Sequence, residues 1–526
     1  VPGSYLIRDF SRHIITISAE CDGQPAALSQ TAKNIWQTSP KSGHWVIRYT
    51  AYAFDLSVRG SFLDTNRGFF DGSCLFFSIE GRLKDTHSLS FNNLPKEWRI
   101  ATSMPTTGSN TFQTASYHIG HSFLFSNHQN PYRVKTALIF SRGIRNTPHL
   151  SAFLPDYDLK KTTPPQTVIG WGYKPTADKA RAFAAAHNLP YTALEDGFLR
   201  SLGLGVEGYP PLSLIIDDIG IYYHTAQPSR LEQLIMQADR LPAELSTQAE
   251  TAMRLIVGNR LSKYNHAADF AETDASKRPS EKPIVLLIDQ TAGDMAVQYG
   301  GADERTFQTM FQTALQENPQ AEIWIKTHPD VLSGKRKGYL TDIAQQENIR
   351  LLAEDIHPIS LLQQTDKVYC VTSQMGFEAL LCGKPVTTFG LPWYAGWGVC
   401  DDRHPDTAKL EQSGRRTGRT LTQLFAAAYL QYSRYINPNT GQSGTIFDVI
   451  GYLARARHLN EYLRGNLYCI GVSLWKRAVI KPFFNVPACR LHFVPMADKM
   501  LKIKLPPDAR LLAWGSGKET VIRLAE

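Results

Sequence analysis

From residue 137 onward, apolar positions fall into short runs separated by polar turns. Ala137-Leu-Ile-Phe140, Thr167-Val-Ile-Gly170, Tyr191-Thr-Ala-Leu194, Ser213-Leu-Ile-Ile216 and Ile221-Tyr-Tyr223 have the length and content of buried strands. Ala177 to His187, rich in Ala and free of breakers, predicts a helix, and residues 229–257 continue in helical pattern. A polar stretch at 270–282 reads as a linker. The alternation then resumes. Ile284-Val-Leu-Leu-Ile288 is nearly all apolar, as a strand covered on both faces must be. Glu304 to Asn318 predicts a helix, Ala321 to Ile325 a strand, Lys367 to Val371 a strand, Gly376 to Cys382 a helix and Val386 to Phe389 a strand. Residues 420–435 and 446–464 read as helices. Strands alternating with helices predict parallel sheets, and the most economical arrangement is α/β with two Rossmann-like lobes around a cleft. Residues 1–130 have another texture, rich in Ser, Thr, Phe, Gly and His; they carry no chemical motif, and their fold is left open between a small β-rich domain and sequence outside the functional unit.

Length and composition add limits. With 526 residues, 43% hydrophobic and 20% charged, the chain is globular and divides into three or four units. A net charge of +8 suits anionic partners such as nucleotides and acidic sugars but is too dispersed to imply nucleic acid. The basic run at 415–419 reads as a solvated loop. Seven cysteines without a C-x-x-C pair suggest free thiols in a reducing compartment. No apolar run approaches a membrane span and no signal peptide is evident, so a cytoplasmic location is expected, with peripheral membrane contact left open.

Candidate chemistry sits where strands end, the place open α/β sheets bind ligands. Glu195-Asp196, Asp289 to Asp294, Lys326 with His328, and Ser373 each follow a predicted strand. Thr372-Ser373-Gln374-Met-Gly376 opens a helix, so its free backbone N–H groups and dipole suit an anion; simple N-capping is the alternative. Lys326 and His328 would add cationic and N–H donors for phosphate, and Glu378 could accept from ribose hydroxyls. Asp294 is either a catalytic carboxylate or a turn cap. The Gly/aromatic loop Trp393 to Gly398 could wall a sugar site, although packing is commoner. There is no Walker A motif, no G-x-G-x-x-G after a first strand, and no zinc pattern, and neither a metal nor a tightly bound cofactor is expected.

These segments, read together over about residues 137–440, resemble the capsule polysaccharide synthesis/export family of the KpsC/LipA type. The resemblance rests on Leu194 to Ser201, Pro211 to Asp218 with Gly220 to Tyr223, Ser262 to Asn265, Asp289-Gln-Thr with Gly293-Asp294, Lys326 to Asp330, Thr372 to Glu378, and Pro392 to Gly398 with Asp401 to His404. It implies a GT-B-like fold and retaining transfer of β-Kdo from CMP-Kdo to a Kdo-primed phosphatidylglycerol-type lipid, with export machinery as a further partner. Carried over, it makes Asp294 the nucleophile and Glu195 the acid/base, with Asp196 its rival. Lys326, His328, Ser373, Gln374, Gly376 and Glu378 would hold the nucleotide, and Arg200, Lys263 and Arg403 the sugar carboxylate. Ala296 stands where that pattern leads one to expect Ser. The family's tandem modules give meaning to an echo: Leu511-Leu-Ala-Trp-Gly515 repeats Val168-Ile-Gly-Trp-Gly172. The expected organisation is 1–130 of unknown fold, an acceptor lobe 131–275, a CMP-sugar lobe 276–440, and 441–526 as a helical linker and truncated second module. Two other functions share these features. A non-catalytic export scaffold would need neither paired carboxylates nor a phosphate site, and an epimerase-like enzyme would need no acceptor.

Overall fold

The structure, a computed structural model, describes residues 10–54, 61–64, 67–95, 98–102, 104–108, 110–114, 122–126, 135–159, 164–272, 281–327, 331, 337–341, 348–352, 354–494 and 505–514. The chain divides into two compact units, Val1–Val134 and Lys135–Glu526. The first is β-rich. Its strand pairs are antiparallel, as in Ile14–Cys21 with Trp45–Ala51, and a small core gathers Phe70, Trp98, Met104 and Phe112.

The second unit holds the chemistry. Its strands are β1 (Lys135–Ile139), β2 (Tyr157–Asp158), β3 (Thr167–Trp171), β4 (Tyr191–Asp196), β5 (Ser213–Asp217), β6 (Ile284–Ile288), β7 (Glu322–Lys326), β8 (Ile349–Leu352), β9 (Lys367–Cys370), β10 (Val386–Thr388), β11 (Asp401–Asp402), β12 (Ser433–Ile436), β13 (Ser443–Gly444), β14 (Gly465–Ile470), β15 (Cys489–Val494) and β16 (Arg510–Ala513). They form two lobes and a third, smaller sheet.

The first lobe is a seven-stranded sheet of order β2-β1-β3-β4-β5-β12-β13. Strands β1 to β4 run parallel, and β5 is antiparallel to both neighbours. Its helices are α1 (Asp178–Ala186), α2 (Arg230–Gln237) and α3 (Ala243–Gly258). Pro242 separates α2 from α3 where the sequence pattern ran on without a break. The expected strand at Ile221–Tyr223 is a turn instead. The buried Asp217 carboxylate accepts from the backbone N–H groups of Ile219 and Gly220 at 2.9 and 2.8 Å, which bends the chain before a strand can pair.

The second lobe is a six-stranded parallel sheet of order β8-β7-β6-β9-β10-β11. Counted along the chain, that is the 3-2-1-4-5-6 order of dinucleotide-binding sheets, with the direction of winding reversing between β6 and β9. Helices α4 (Met295–Tyr299), α5 (Glu304–Glu317) and α6 (Gln374–Leu381) follow its strands. After β11 the chain returns to the first lobe, so β12 pairs with β5 although residues up to 440 were expected in the second lobe. The predicted helix over 420–435 is α-helical only at Leu421–Phe425. It widens into a π-helix at Ala426–Tyr432 and ends in β12.

One apolar core spans both lobes, joining Ile215, Leu231 and Ala252 to Leu286, Phe377 and Trp393. Trp393, Tyr394 and Trp397 are buried, so the aromatic loop packs inward rather than presenting its rings to a ligand. The basic run at 415–419 is not a solvated loop. Arg415 makes a bidentate pair with Glu232 on α2 at 2.9 and 3.1 Å, buried Arg416 reaches the same carboxylate at 3.3 Å, and Arg419 donates to the carbonyls of Ile235 and Met236. Glu232 is itself buried, so the cations find their partner inside the protein.

Helix α7 (Ile446–Tyr462) leads to the third sheet, order β15-β14-β16, all parallel. This repeats the order β2-β1-β3 that opens the first lobe. The strand carrying the Leu511 to Trp514 echo takes the place that β3, with Val168 to Trp171, takes there.

Candidate active site at the ends of the strands

The winding reverses between β6 and β9, and the residues that leave both strands meet beyond their ends. Asp289 follows β6. Its Oδ1 accepts from the N–H groups of Gln290, Tyr339 and Leu340 at 2.8, 3.0 and 3.2 Å, and its Oδ2 from Thr327 Oγ1 at 3.0 Å. Burial pushes this carboxyl up in pKa, and those four donors pull against it. Asp289 is thus the hub that fixes the loop after β6. Gly293, at φ +84°, then turns the chain in a conformation that favours glycine. Asp294 caps α4: its Oδ1 accepts from Ala296 N–H at 2.9 Å, a backbone bond that needs no side chain at 296. Its Oδ2 accepts from Gln290 Nε2 at 3.3 Å. The same Gln290 amide crosses to the end of β9, where its Oε1 accepts from Thr372 N–H at 2.9 Å and its Nε2 lies 3.1 Å from Thr372 Oγ1. Ser373, the next residue, caps α6 through Met375 N–H at 3.2 Å. Asp294 and the start of α6 therefore belong to one hydrogen-bonded assembly.

The first lobe supplies the other acidic pair. Glu195 ends β4 and is 7% exposed. Its Oε1 accepts from Trp171 Nε1 and from Asp196 N–H, both at 3.1 Å. Burial raises its pKa, and the charges of Lys174 and Lys263 pull it back. Gly172 has φ +51°, and a Cβ there would lie 2.2 Å from the Tyr223 hydroxyl and 3.1 Å from Glu195 Oε2, so only glycine lets these groups approach. Asp196 pairs with Arg200 at 2.7 Å. Arg200 also donates to Ser201 Oγ and to the Tyr209 carbonyl, both at 2.9 Å, and its N–H bonds the Lys263 carbonyl. Desolvation pulls the half-buried Lys263 down in pKa, but the Tyr264 hydroxyl, Asp196 and Glu195 outweigh it and leave the ammonium above its usual value. Glu195, Asp196, Arg200 and Lys263 are thus brought together.

Tyr222 feels acidic groups of both lobes. Burial raises this phenol well above its ordinary pKa, and the charges of Glu195, Asp294 and Asp196 raise it further. Two polar contacts also join the lobes here. Ser262 Oγ donates to Glu378 Oε1 at 2.6 Å, and Thr225 donates through N–H and Oγ1 to the carbonyl of Tyr299, the last residue of α4, at 3.2 and 3.0 Å. An open groove of about 560 Å³ lies beside that second contact, lined by His224, Thr225, Gln298, Tyr299 and Lys409 among others.

Against this geometry, residues 166–435, just over half of the chain, match the family described as "Capsule polysaccharide biosynthesis protein". The chain belongs to the capsule polysaccharide biosynthesis family. Over 413 residues it is 63% identical to the capsule polysaccharide modification protein LipA of Neisseria meningitidis serogroup B, which covers 77% of this chain and 59% of LipA. It is 39% identical over 294 residues to the lipopolysaccharide-processing protein LpsZ of Rhizobium meliloti, covering 55% of this chain and 64% of LpsZ. Among solved structures, Thermosulfurimonas dismutans KpsC, titled a beta Kdo 2,4 transferase, is 46% identical with TM-score 0.56, covering 62% of this chain and 100% of that one. Residues 1–119 match another description, "Peptidase M61 N-terminal domain".

Within this capsule-family unit, the remaining residues expected at the site lie as follows. The Gln374 amide is held between Trp393 Nε1 at 3.0 Å and the Tyr429 hydroxyl at 3.1 Å. Gly376 packs closely, since a Cβ would lie 2.1 Å from the Tyr394 hydroxyl. Glu378 is buried against Ser262, not turned outward to a ribose, and burial pushes its pKa up to about 7. Lys326 Nζ donates to the carbonyl of Glu354, past the end of β8, at 2.7 Å; burial lowers its pKa to about 8. Arg403 stands apart from the acidic groups, in a surface network with Asp401 at 2.6 Å and Glu317 at 3.2 Å. His328 lies outside the described residues. Gln290, Trp171 and Tyr222 were missed as site residues. Each sits inside a quoted family motif or beside a strand end, but an amide, an indole and a phenol announce no chemistry of their own.

Proposed function

We propose that the chain is a retaining β-Kdo glycosyltransferase of GT-B-like fold that uses CMP-Kdo and a Kdo-primed phosphatidylglycerol-type lipid acceptor. The observation that carries this reading is the hydrogen-bonded meeting of Asp294 with the start of α6 at the winding reversal. The resemblance to a protein titled a Kdo transferase supplies the sugar. The backbone N–H groups at the start of α6 would receive the CMP phosphate, with Lys326 and His328 as further donors. Asp294 would attack the anomeric carbon of Kdo: its carboxylate oxygen forms the new bond as the bond to the CMP phosphate oxygen breaks, and CMP leaves with that electron pair. An acceptor hydroxyl would then displace Asp294 from that carbon, passing its proton to Glu195. Two displacements at one carbon retain its configuration. Arg200 and Lys263 would face the Kdo carboxylate. The groove beside Tyr299 would lead the acceptor in. Peripheral contact with the inner membrane and handover to export machinery complete the proposal. We further infer that β14–β16 open a second copy of the module.

Incubation of the full chain with CMP-Kdo and a synthetic Kdo-primed lipid tests the reading. The expected result is release of CMP with one added Kdo in β linkage, and a Kdo adduct on Asp294 by mass spectrometry. Absence of CMP binding at millimolar concentration sinks it. Release of CMP with no new glycosidic bond sinks the transferase assignment.

A further inference from the structure

We infer that Gln290 is a positioning residue for Asp294, which locks the orientation of that carboxylate to the occupancy of the helix start at Ser373. This rests on the proposed role of Asp294. Gln290 is 8% exposed, and both ends of its amide are engaged. Its Nε2 reaches Asp294 Oδ2 and Thr372 Oγ1, and its Oε1 takes the Thr372 N–H. Its partners lie on opposite sides of the winding reversal, one in the loop after β6 and one after β9. Thr372 is the residue before the helix cap, so any movement of the α6 start on binding an anion reaches the amide through two bonds. Asp294 has a second restraint, the Ala296 N–H on Oδ1. One restraint on each oxygen fixes the plane of the carboxylate, whereas either alone leaves it free to rotate. Positioning of this kind acts on the chemical step, since a misplacement of about 1 Å can cost on the order of 100-fold in rate.

The test uses the full chain with Gln290→Met, which keeps the length and loses all three bonds, and Gln290→Glu, which keeps the acceptor for Thr372 N–H but loses the Nε2 donor to Asp294 and Thr372 Oγ1. Both are expected to lower kcat for Kdo transfer by about 100-fold. KM for CMP-Kdo and the Kd for CMP in Gln290→Glu should stay within roughly threefold, because the Thr372 N–H keeps its acceptor and the Ser373 cap of α6 is untouched. A structural role alone would instead lower the amount of folded enzyme or raise KM. Wild-type kcat in either variant overturns the inference, as does a loss confined to KM. If Gln290→Met does not fold, Gln290→Glu and the milder Thr372→Val carry the same kcat test. A readout independent of activity separates this inference from the proposed function. A crystal structure of the Gln290→Glu chain should show the Asp294 carboxylate rotated about its Cβ–Cγ bond. An unchanged carboxylate overturns the positioning role whether or not the wild-type chain transfers sugar.

Discussion

Asp294 holds two jobs that can be separated by one atom. It caps α4 through Ala296 N–H and offers an oxygen to Gln290. Asn caps a helix about as well as Asp. Asp294→Asn should therefore unfold at nearly the wild-type temperature while the proposed Kdo transfer falls by at least about 1000-fold, as expected for loss of the proposed nucleophile; calorimetry and product assay on the same sample check both. Glu378 makes a stability prediction with a definite sign. Its folded pKa, about 7, lies above its unfolded value near 4.5, so the folded state holds the extra proton between those values. Stability must then fall as pH rises from about 4.5 to about 7, by on the order of 3 kcal/mol, and level off above. Glu378→Gln keeps an oxygen for Ser262 and removes the titration. The variant should match wild type near pH 5 and exceed it at pH 8, as read from urea midpoints. At this scale the sequence singled out Glu195, Asp196 and Asp294 because charged groups at strand ends stand out, and Arg200 and Lys263 only through the family resemblance; the structure places Glu195, Asp196, Arg200 and Lys263 together. The sequence mistook Glu378, whose exposure depends on a partner in the other lobe.

Elements show a similar division. Apolar runs identified the strands with central pairing, such as β6 and β9, because a run of three to five consecutive buried side chains leaves no other structure. They did not foresee the turn at Ile221–Tyr223 or the π-helix at Ala426–Tyr432, where side chains from elsewhere decide. Tyr432 donates to Asp217 at 2.6 Å, and Asp217 also holds the turn. The loop at 415–419 is the clearest case. A run of Arg looks solvated until Glu232 on α2 is placed against it. Glu232→Ala leaves the Arg416 guanidinium buried without its carboxylate and should destabilise the second unit by roughly 3–5 kcal/mol. Equilibrium denaturation of this variant, compared with Glu232→Gln, measures the charge separately from the hydrogen bonds.

The whole molecule is two compact units with different chemistry. The antiparallel strands of residues 1–134 carry none of the groups invoked above, and the second unit has its own core. A chain beginning at Lys135 should therefore keep the unfolding transition of the second unit and bind CMP like the full chain; scanning calorimetry should show one endotherm lost and one unmoved. No helix among the described residues is long and apolar enough to cross a membrane. What the sequence by itself determined is local: the alternation of strands and helices, the α/β class, the strand-end motifs and the family they resemble. These follow from side-chain periodicity and from short stretches read in order. The tertiary structure alone decided which distant groups share an environment. Gln290 meets Thr372 across 82 positions, Ser262 meets Glu378 across 116, and Arg415 meets Glu232 across 183. A hydrogen bond or ion pair depends on distance in space, which strand order sets and spacing along the chain does not.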